Sequence, residues 1–94
     1  MDEVTLESTV ELPPKVTFGN MDDEVAIFHE ETGQYFGLDD VGSRVWKAFH
    51  KTGSLREAHT VLMEEFEIED SDLEEAIIEF VKELVELELL AVKP

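Results

Sequence analysis

The sequence predicts an α+β domain in which a three-stranded antiparallel sheet is followed by three helices. Short segments with alternating apolar residues end near residue 38, and apolar residues at helical spacing begin directly after it. The two kinds of pattern occupy separate blocks of the chain, which is typical of the α+β class. Because 94 residues is the length of one domain, we expect a single folded unit over residues 1–94.

The predicted strands come first. Val4–Leu12 alternates loosely and is followed by two prolines, so we expect an extra edge strand or an extended arm over residues 1–12. Lys15–Phe18 is predicted to be a short strand closed by Gly19 and Asn20 and by the polar turn Met21–Asp22–Asp23. Glu24–His29 is apolar on both faces, which suits a central strand, and Gln34–Leu38 is predicted to return antiparallel to it after a turn.

The first two helices have recognisable starts. Either Asp39 or Asp40 can cap the first helix, which is predicted to run to about His50. Ser54, with Glu57 three residues later, predicts a capping box at the start of the second helix.

The third helix has the widest apolar surface. Ser71 and Glu74 predict a capping box at its start, and the helix is expected to extend to about Leu87. Its apolar residues span roughly 200° of the helix circumference, more than one packing face requires. Either the helix is central and packed on two sides, or part of this arc lines a groove beside the sheet. The apolar residues 89–92 that follow are expected to pack back on the domain.

The composition excludes several functional classes. With 24 acidic and 7 basic residues, the chain carries a net charge of −17, so nucleic acid and anionic membranes are not expected partners. The absence of cysteine excludes disulfides, thiol catalysis and cysteine-based metal sites. No apolar run approaches the roughly 18 residues of a membrane span. We therefore expect a soluble, cytoplasmic protein.

No catalytic pattern is apparent in the sequence. His29, His50 and His59 are scattered without the spacing of metal ligands. The serines lack the glycine elbow of a nucleophile, and no glycine-rich phosphate loop is present. The sequence therefore predicts neither an enzyme nor a metal or cofactor site.

The last predicted strand is suited to binding a peptide. Gln34–Leu38 contains neither a proline nor a charged residue, the usual features that block a sheet edge. An exposed edge of this kind can accept an extended peptide through main-chain hydrogen bonds. Two alternatives remain: Val4–Leu12 covers the edge, or a second copy of the chain pairs with it to form a homodimer.

Residues 33–46, GQYFGLDDVGSRVW, resemble the hallmark stretch of PqqD-like proteins, the RiPP recognition elements. The resemblance covers residues 13–92 and includes the acidic segment FEIE at 66–69 and the ELL at 88–90. Within the family, the LPPKV at 12–16 is similar to stand-alone members of lasso-peptide pathways.

The resemblance implies a winged-helix-like domain that binds the leader segment of a ribosomally made precursor peptide. The leader would be added as a strand beside residues 34–38 and against the third helix, and would then be delivered to a processing enzyme. A leader peptidase is the first expectation for that enzyme, and the radical enzyme of the pyrroloquinoline quinone pathway is the second.

The resemblance also implies a set of peptide-binding residues. These are Gln34, Tyr35, Phe36 and Gly37 on the strand and Leu73, Ala76, Ile77 and Phe80 on the helix, with Glu79 and Glu83 at the rim. Relatives often carry Asp at position 76, where this chain has Ala76, so a polar contact to the leader is lost there. Glu79 and Glu83 can substitute for it by attracting Lys or Arg of the leader.

Two other functions compete with this interpretation. A winged-helix DNA-binding protein would use the third helix for recognition. That helix carries six acidic residues between Asp72 and Glu86, which phosphate would repel. A structural subunit of an enzyme complex would share the fold but would have no affinity for a free peptide.

Overall fold

The computed structural model describes residues 4–22, 24–50 and 52–93, with only the main chain of Met21. Its elements are β1 (Val10–Glu11), β2 (Val16–Met21), β3 (Glu24–His29), β4 (Gln34–Gly37), α1 (Asp40–His50), α2 (Leu55–Glu65), α3 (Asp70–Glu86) and β5 (Ala91–Val92). The predicted α+β class is confirmed, with a three-stranded antiparallel sheet followed by three helices.

The main sheet has the order β2-β3-β4, so β3 is the central strand, as predicted. Val25 and Ile27 point from β3 into the core, with exposed fractions of 1% and 0%. Strand β2 is longer than predicted, because Gly19 and Asn20 continue the ladder by pairing with Ala26 and Val25 instead of forming a turn. The predicted polar turn follows at Asp22, which has a φ of 62°, and Asp23 of that turn lies outside the described residues.

The N-terminal segment forms a second, smaller sheet. Only Val10–Glu11 of the predicted Val4–Leu12 strand is a strand, and it pairs antiparallel with Ala91–Val92. Leu89 and Leu90 are 0% and 4% exposed, so the apolar tail packs back on the domain as predicted. Through this pairing the N-terminal arm, which contains β1, binds the C-terminal tail and is not part of the β2-β3-β4 sheet.

The first two helix starts agree with the sequence. The Asp39 carboxylate accepts a hydrogen bond from the Gly42 amide at 2.7 Å, which caps α1. Ser54 caps α2 by accepting from the Glu57 amide at 3.2 Å. The other half of the predicted capping box is replaced, because the Ser54 amide donates to the Thr52 hydroxyl at 3.1 Å.

The predicted cap of α3 is wrong. The helix begins at Asp70 with Glu69 at the N-cap position, so Ser71 lies inside the first turn. The physical reason is a contact with α2: His59 Nε2 lies 3.1 Å from both the Asp70 carbonyl oxygen and its carboxylate. Asp70 is thereby fixed as the first residue of the helix.

The core lies between the sheet and the helices. Trp46 and Phe49 of α1 are 1% and 2% exposed, and the ring of Phe18 from β2 meets Trp46 edge-on with centroids 5.3 Å apart. Full burial of each large apolar side chain stabilises the fold by about 1.5–3 kcal/mol. Helix α3 contributes one buried stripe, namely Leu73, Ile77, Val81 and Leu84. No described helix has the length and apolarity to cross a bilayer.

Candidate peptide-binding cleft

Strand β4 lies at one edge of the main sheet. It pairs with β3 on its inner side, from Gln34 opposite His29 to Gly37 opposite Ala26. Among the described residues, no strand pairs with its outer side. The N-terminal arm, which could have covered this edge, pairs with β5 instead. Within one described chain the edge is therefore open.

The hydrogen bond from the Leu38 amide to the Val25 carbonyl oxygen, 2.8 Å long, fixes the orientation of the β4 main chain. Facing residues in an antiparallel ladder alternate between pairs that exchange hydrogen bonds and pairs that do not. Phe36 therefore points its main-chain groups toward β3, as Leu38 does. Tyr35 and Gly37 direct their N–H and C=O groups toward the outer side of the sheet.

A buried serine ends the ladder beside β4. The Ser43 hydroxyl, 1% exposed, accepts from the Val25 amide at 2.8 Å and donates to the Leu38 carbonyl oxygen at 3.3 Å. It takes the place of the second hydrogen bond of this residue pair, from the Val25 amide to the Leu38 carbonyl oxygen, while the first, from the Leu38 amide to the Val25 carbonyl oxygen, is direct. Because Ser43 belongs to α1, this relay fixes the first turns of α1 against the end of β4.

An apolar cleft of about 380 Å³ lies between the end of β4, the first turns of α1 and the middle of α3. It is lined by Gly37, Leu38, Asp39, Val41, Gly42, Val45, Ala76, Phe80, Glu83 and Leu84. Most of this lining is aliphatic or aromatic. The cleft can therefore bury an apolar side chain next to a main-chain edge that can form hydrogen bonds.

Close approach of α1 and α3 forms the floor of the cleft. A Cβ atom added to Gly42 would lie 3.2 Å from Cε1 of Phe80 and 3.1 Å from Oδ1 of Asp39, closer than ordinary van der Waals contact. Glycine at this position therefore lets the Phe80 ring lie against α1. The same ring lies 6.4 Å from that of Phe49, centroid to centroid, which connects it to the core.

The residues predicted for the site fall into four groups. Gly37, Ala76, Phe80 and Glu83 line the cleft. Gln34, Tyr35 and Phe36 lie on the open strand, where Tyr35 is 59% exposed and Phe36 packs partly against the core. Leu73 and Ile77 are 4% and 0% exposed and belong to the core. Glu79 lies in a separate shallow depression of α3 with Glu75 and Ile78.

Sequence reasoning missed the contribution of α1 to the cleft. Val41 and Val45 line it, and Val41 is 56% exposed. The signal was present, since a helix that follows an open strand after two residues must begin beside that strand's end. The position of Val41 in the first turn of α1 could have indicated this.

The histidines lie apart from the cleft and from one another. His29 is on the inner face of β3, His50 contacts the Phe18 ring with centroids 4.5 Å apart, and His59 contacts Asp70. Across residues 4–22, 24–50 and 52–93, no cluster of three or more potential ligands is placed to hold a metal ion.

Comparisons with known proteins agree with this geometry. Residues 24–90 match the family model described as coenzyme PQQ synthesis protein D (PqqD). A solved structure of TbiB1 in complex with the TbiA(beta) leader peptide is 32% identical, with a TM-score of 0.80 over 85% of this chain and 93% of that one. A lasso peptide synthetase B1 complexed with the leader peptide is 22% identical, with a TM-score of 0.80 over 88% and 98% of the two chains. The comparison with curated proteins finds no significant match.

Proposed function

Since this chain belongs to the PqqD family, we propose that it binds the leader segment of a ribosomally made precursor peptide. The leader is added as a strand on the outer side of β4 and packs its side chains against α3. The observation that carries the proposal is the open side of β4 directly beside an apolar cleft. The similarity to TbiB1, whose structure contains a bound leader peptide, supports it independently.

Each predicted residue then has a physical role. The outward N–H and C=O groups of Gly37 supply main-chain hydrogen bonds, and β4 as a whole, over Gln34, Tyr35 and Phe36, sets the register of the added strand. Phe80 and Ala76 form the apolar wall. Leu73 and Ile77 hold that wall in place from the core, and Glu83 lies at its rim. Glu79 lies in the separate depression of α3 and takes no part in the cleft.

We infer that the chain acts as one non-catalytic binding unit that delivers the leader to a separate enzyme. One core cluster joins the N-terminal arm, the sheet and all three helices, so the described residues are expected to move as one body. The resemblance of residues 12–16 to stand-alone members of lasso-peptide pathways favours a leader peptidase as that enzyme, ahead of a radical enzyme.

A titration followed by amide chemical shifts tests the proposal, with the TbiA(beta) leader peptide as the probe. Binding as an added strand should perturb residues 34–38 on β4 and residues 76–84 on α3, with little change in β2. Perturbation confined to β2 or α2, or no perturbation at millimolar peptide, would overturn the proposal.

A proline variant tests the main-chain contact. Gly37→Pro removes an N–H that points away from β3, so the internal ladder stays intact while the added strand loses a donor. The matched control is Asn20→Pro on β2, whose main chain points outward at the opposite edge of the sheet. Gly37→Pro should weaken leader binding at least tenfold, whereas Asn20→Pro should leave it unchanged. Circular dichroism checks that both variants fold.

A further inference from the structure

The charged side chains that line the cleft all have the same sign. Among the described residues that line it, the charged side chains are Asp39 and Glu83, and both are acidic and exposed. The other lining residues are glycines or apolar side chains. The net charge of the whole chain is −17, so the long-range electrostatic field around the cleft also attracts cations.

The register of β4 fixes which side chains of an added strand enter the cleft. Because Phe36 lies opposite the fully buried Ile27, it is on the inner face of the sheet, and Leu38, two residues on, shares that face. Side chains of an added strand that lie opposite Phe36 and Leu38 must also point inward, toward α3. Their neighbours, opposite Tyr35 and Gly37, point to the outer face. Two inward positions are thus separated by one outward position.

We propose that the cleft takes an extended cationic peptide segment with apolar residues at two alternate positions and a Lys or Arg beside them. This inference rests on the proposed function and names the chemical class of its ligand. The two apolar side chains contact Val41, Val45 and Phe80. The basic side chain reaches the carboxylate of Glu83 on α3, and Asp39 at the opposite wall adds a second negative charge.

The two features of the ligand contribute in different ways. Burial of the apolar side chains supplies most of the affinity, because removal of apolar surface from water is the dominant favourable contribution to most protein association. The exposed carboxylates contribute modestly to affinity, since exposed ion pairs are screened by solvent. Their main effects are on the association rate and on the choice between basic and acidic peptides.

Selection from a phage-displayed library of random twelve-residue peptides tests the inference without a known ligand. Peptides are selected on the unchanged chain and counter-selected on Phe80→Glu, which places a charge in the apolar wall. Enriched peptides should share apolar residues two positions apart and an excess of Lys and Arg over the starting library. Cleft-dependent peptides without these features would overturn the inference alone. Failure to enrich any peptide that distinguishes the two proteins would overturn the proposed function.

Reversing the charge of Glu83 tests whether the basic residue of the peptide contacts that carboxylate. Glu83→Lys is compared with Glu64→Lys, which makes the same change in net charge at an exposed position on α2. For an enriched peptide, Glu83→Lys should weaken binding about two- to fivefold more than Glu64→Lys, as expected for loss of an exposed ion pair. Replacing the peptide's basic residue by Glu should restore part of the affinity for Glu83→Lys only. Equal effects of the two protein variants would show that net charge alone acts, and would overturn the assigned contact.

Discussion

At the scale of single residues, three serines that look alike in the sequence have different roles in the fold. Ser43 is buried and joins two strands, Ser54 caps α2, and Ser71 lies in the first turn of α3. Because their hydroxyl groups are chemically identical, differences in the stability of the three Ser→Ala variants should come only from the hydrogen bonds that each variant loses. These differences can be measured by urea unfolding followed by circular dichroism.

Ser43→Ala should destabilise the domain by about 1–3 kcal/mol, because it leaves the Val25 amide buried without its acceptor. The Leu38 carbonyl oxygen loses a donor in the same change. Ser43→Thr, which keeps the hydroxyl, is the matched comparison, although its added methyl group must fit where Ser43 is 1% exposed. A Ser43→Ala variant as stable as the unchanged chain would contradict the relay.

Ser54→Ala and Ser71→Ala compare a serine that caps its helix with one that only matches the sequence pattern of a cap. Ser54→Ala should cost about 1 kcal/mol, since the Glu57 amide loses its cap. Ser71→Ala should stay within about 0.5 kcal/mol of the unchanged chain, because exposed positions of this kind contribute little. If Ser71→Ala were the more damaging of the two, the observed start of α3 at Asp70 would be wrong.

At the scale of elements, the contact between α1 and α3 decides the shape of the cleft. Gly42→Ala places a methyl group 3.2 Å from Phe80, so the ring must shift by a few tenths of an ångström. Because Phe80 forms the apolar wall, we expect weaker binding of a cleft peptide, by roughly three- to tenfold for a loss of well-packed contacts. The measurement is isothermal titration with a peptide selected on the unchanged chain. Gly19→Ala is the control, because an added Cβ there meets nothing within 4 Å.

Most of the regular elements were predictable from the sequence, and the reasons are local. The central strand β3 and the helices α1 and α2 agree with prediction. The apolar periodicity and the caps that determine these elements lie within each element or directly beside it. The pairing of β1 with β5 could not be predicted, because strands of two residues have no periodicity and the paired residues Val10 and Val92 are 82 positions apart. The start of α3 depends on His59 of another helix, which the Ser71 signature does not reveal.

The candidate site was predictable in part for the same reason. The open strand follows from the sequence pattern and the wall at Phe80 from the family resemblance, and the structure brings Gly37 and Phe80 to one cleft. The wide apolar arc of α3 did not reveal which of its residues are buried: Leu73 and Ile77 face the core, whereas Ala76 faces the cleft. That division depends on which side of α3 packs against the core, which is set by residues far away in the sequence.

At the scale of the whole molecule, self-repulsion among 24 acidic residues opposes the compact state. Raising sodium chloride from about 20 mM to about 500 mM shortens the screening length several-fold. The free energy of unfolding should therefore rise with salt, while association with a cationic peptide slows. Thermal unfolding and stopped-flow mixing measure the two effects. Glu64→Lys, with a smaller net charge, should show a weaker salt dependence of stability.

The antiparallel pairing of Val10 with Val92 determines how the domain would respond to mechanical tension. The N-terminal side of β1 and the C-terminal side of β5 lie at the same end of their short ladder, so pulling on both termini would load its hydrogen bonds one after another. Such a ladder unzips at lower force than one that is sheared. The β2-β3-β4 sheet lies outside this ladder, so its own hydrogen bonds are not part of that unzipping.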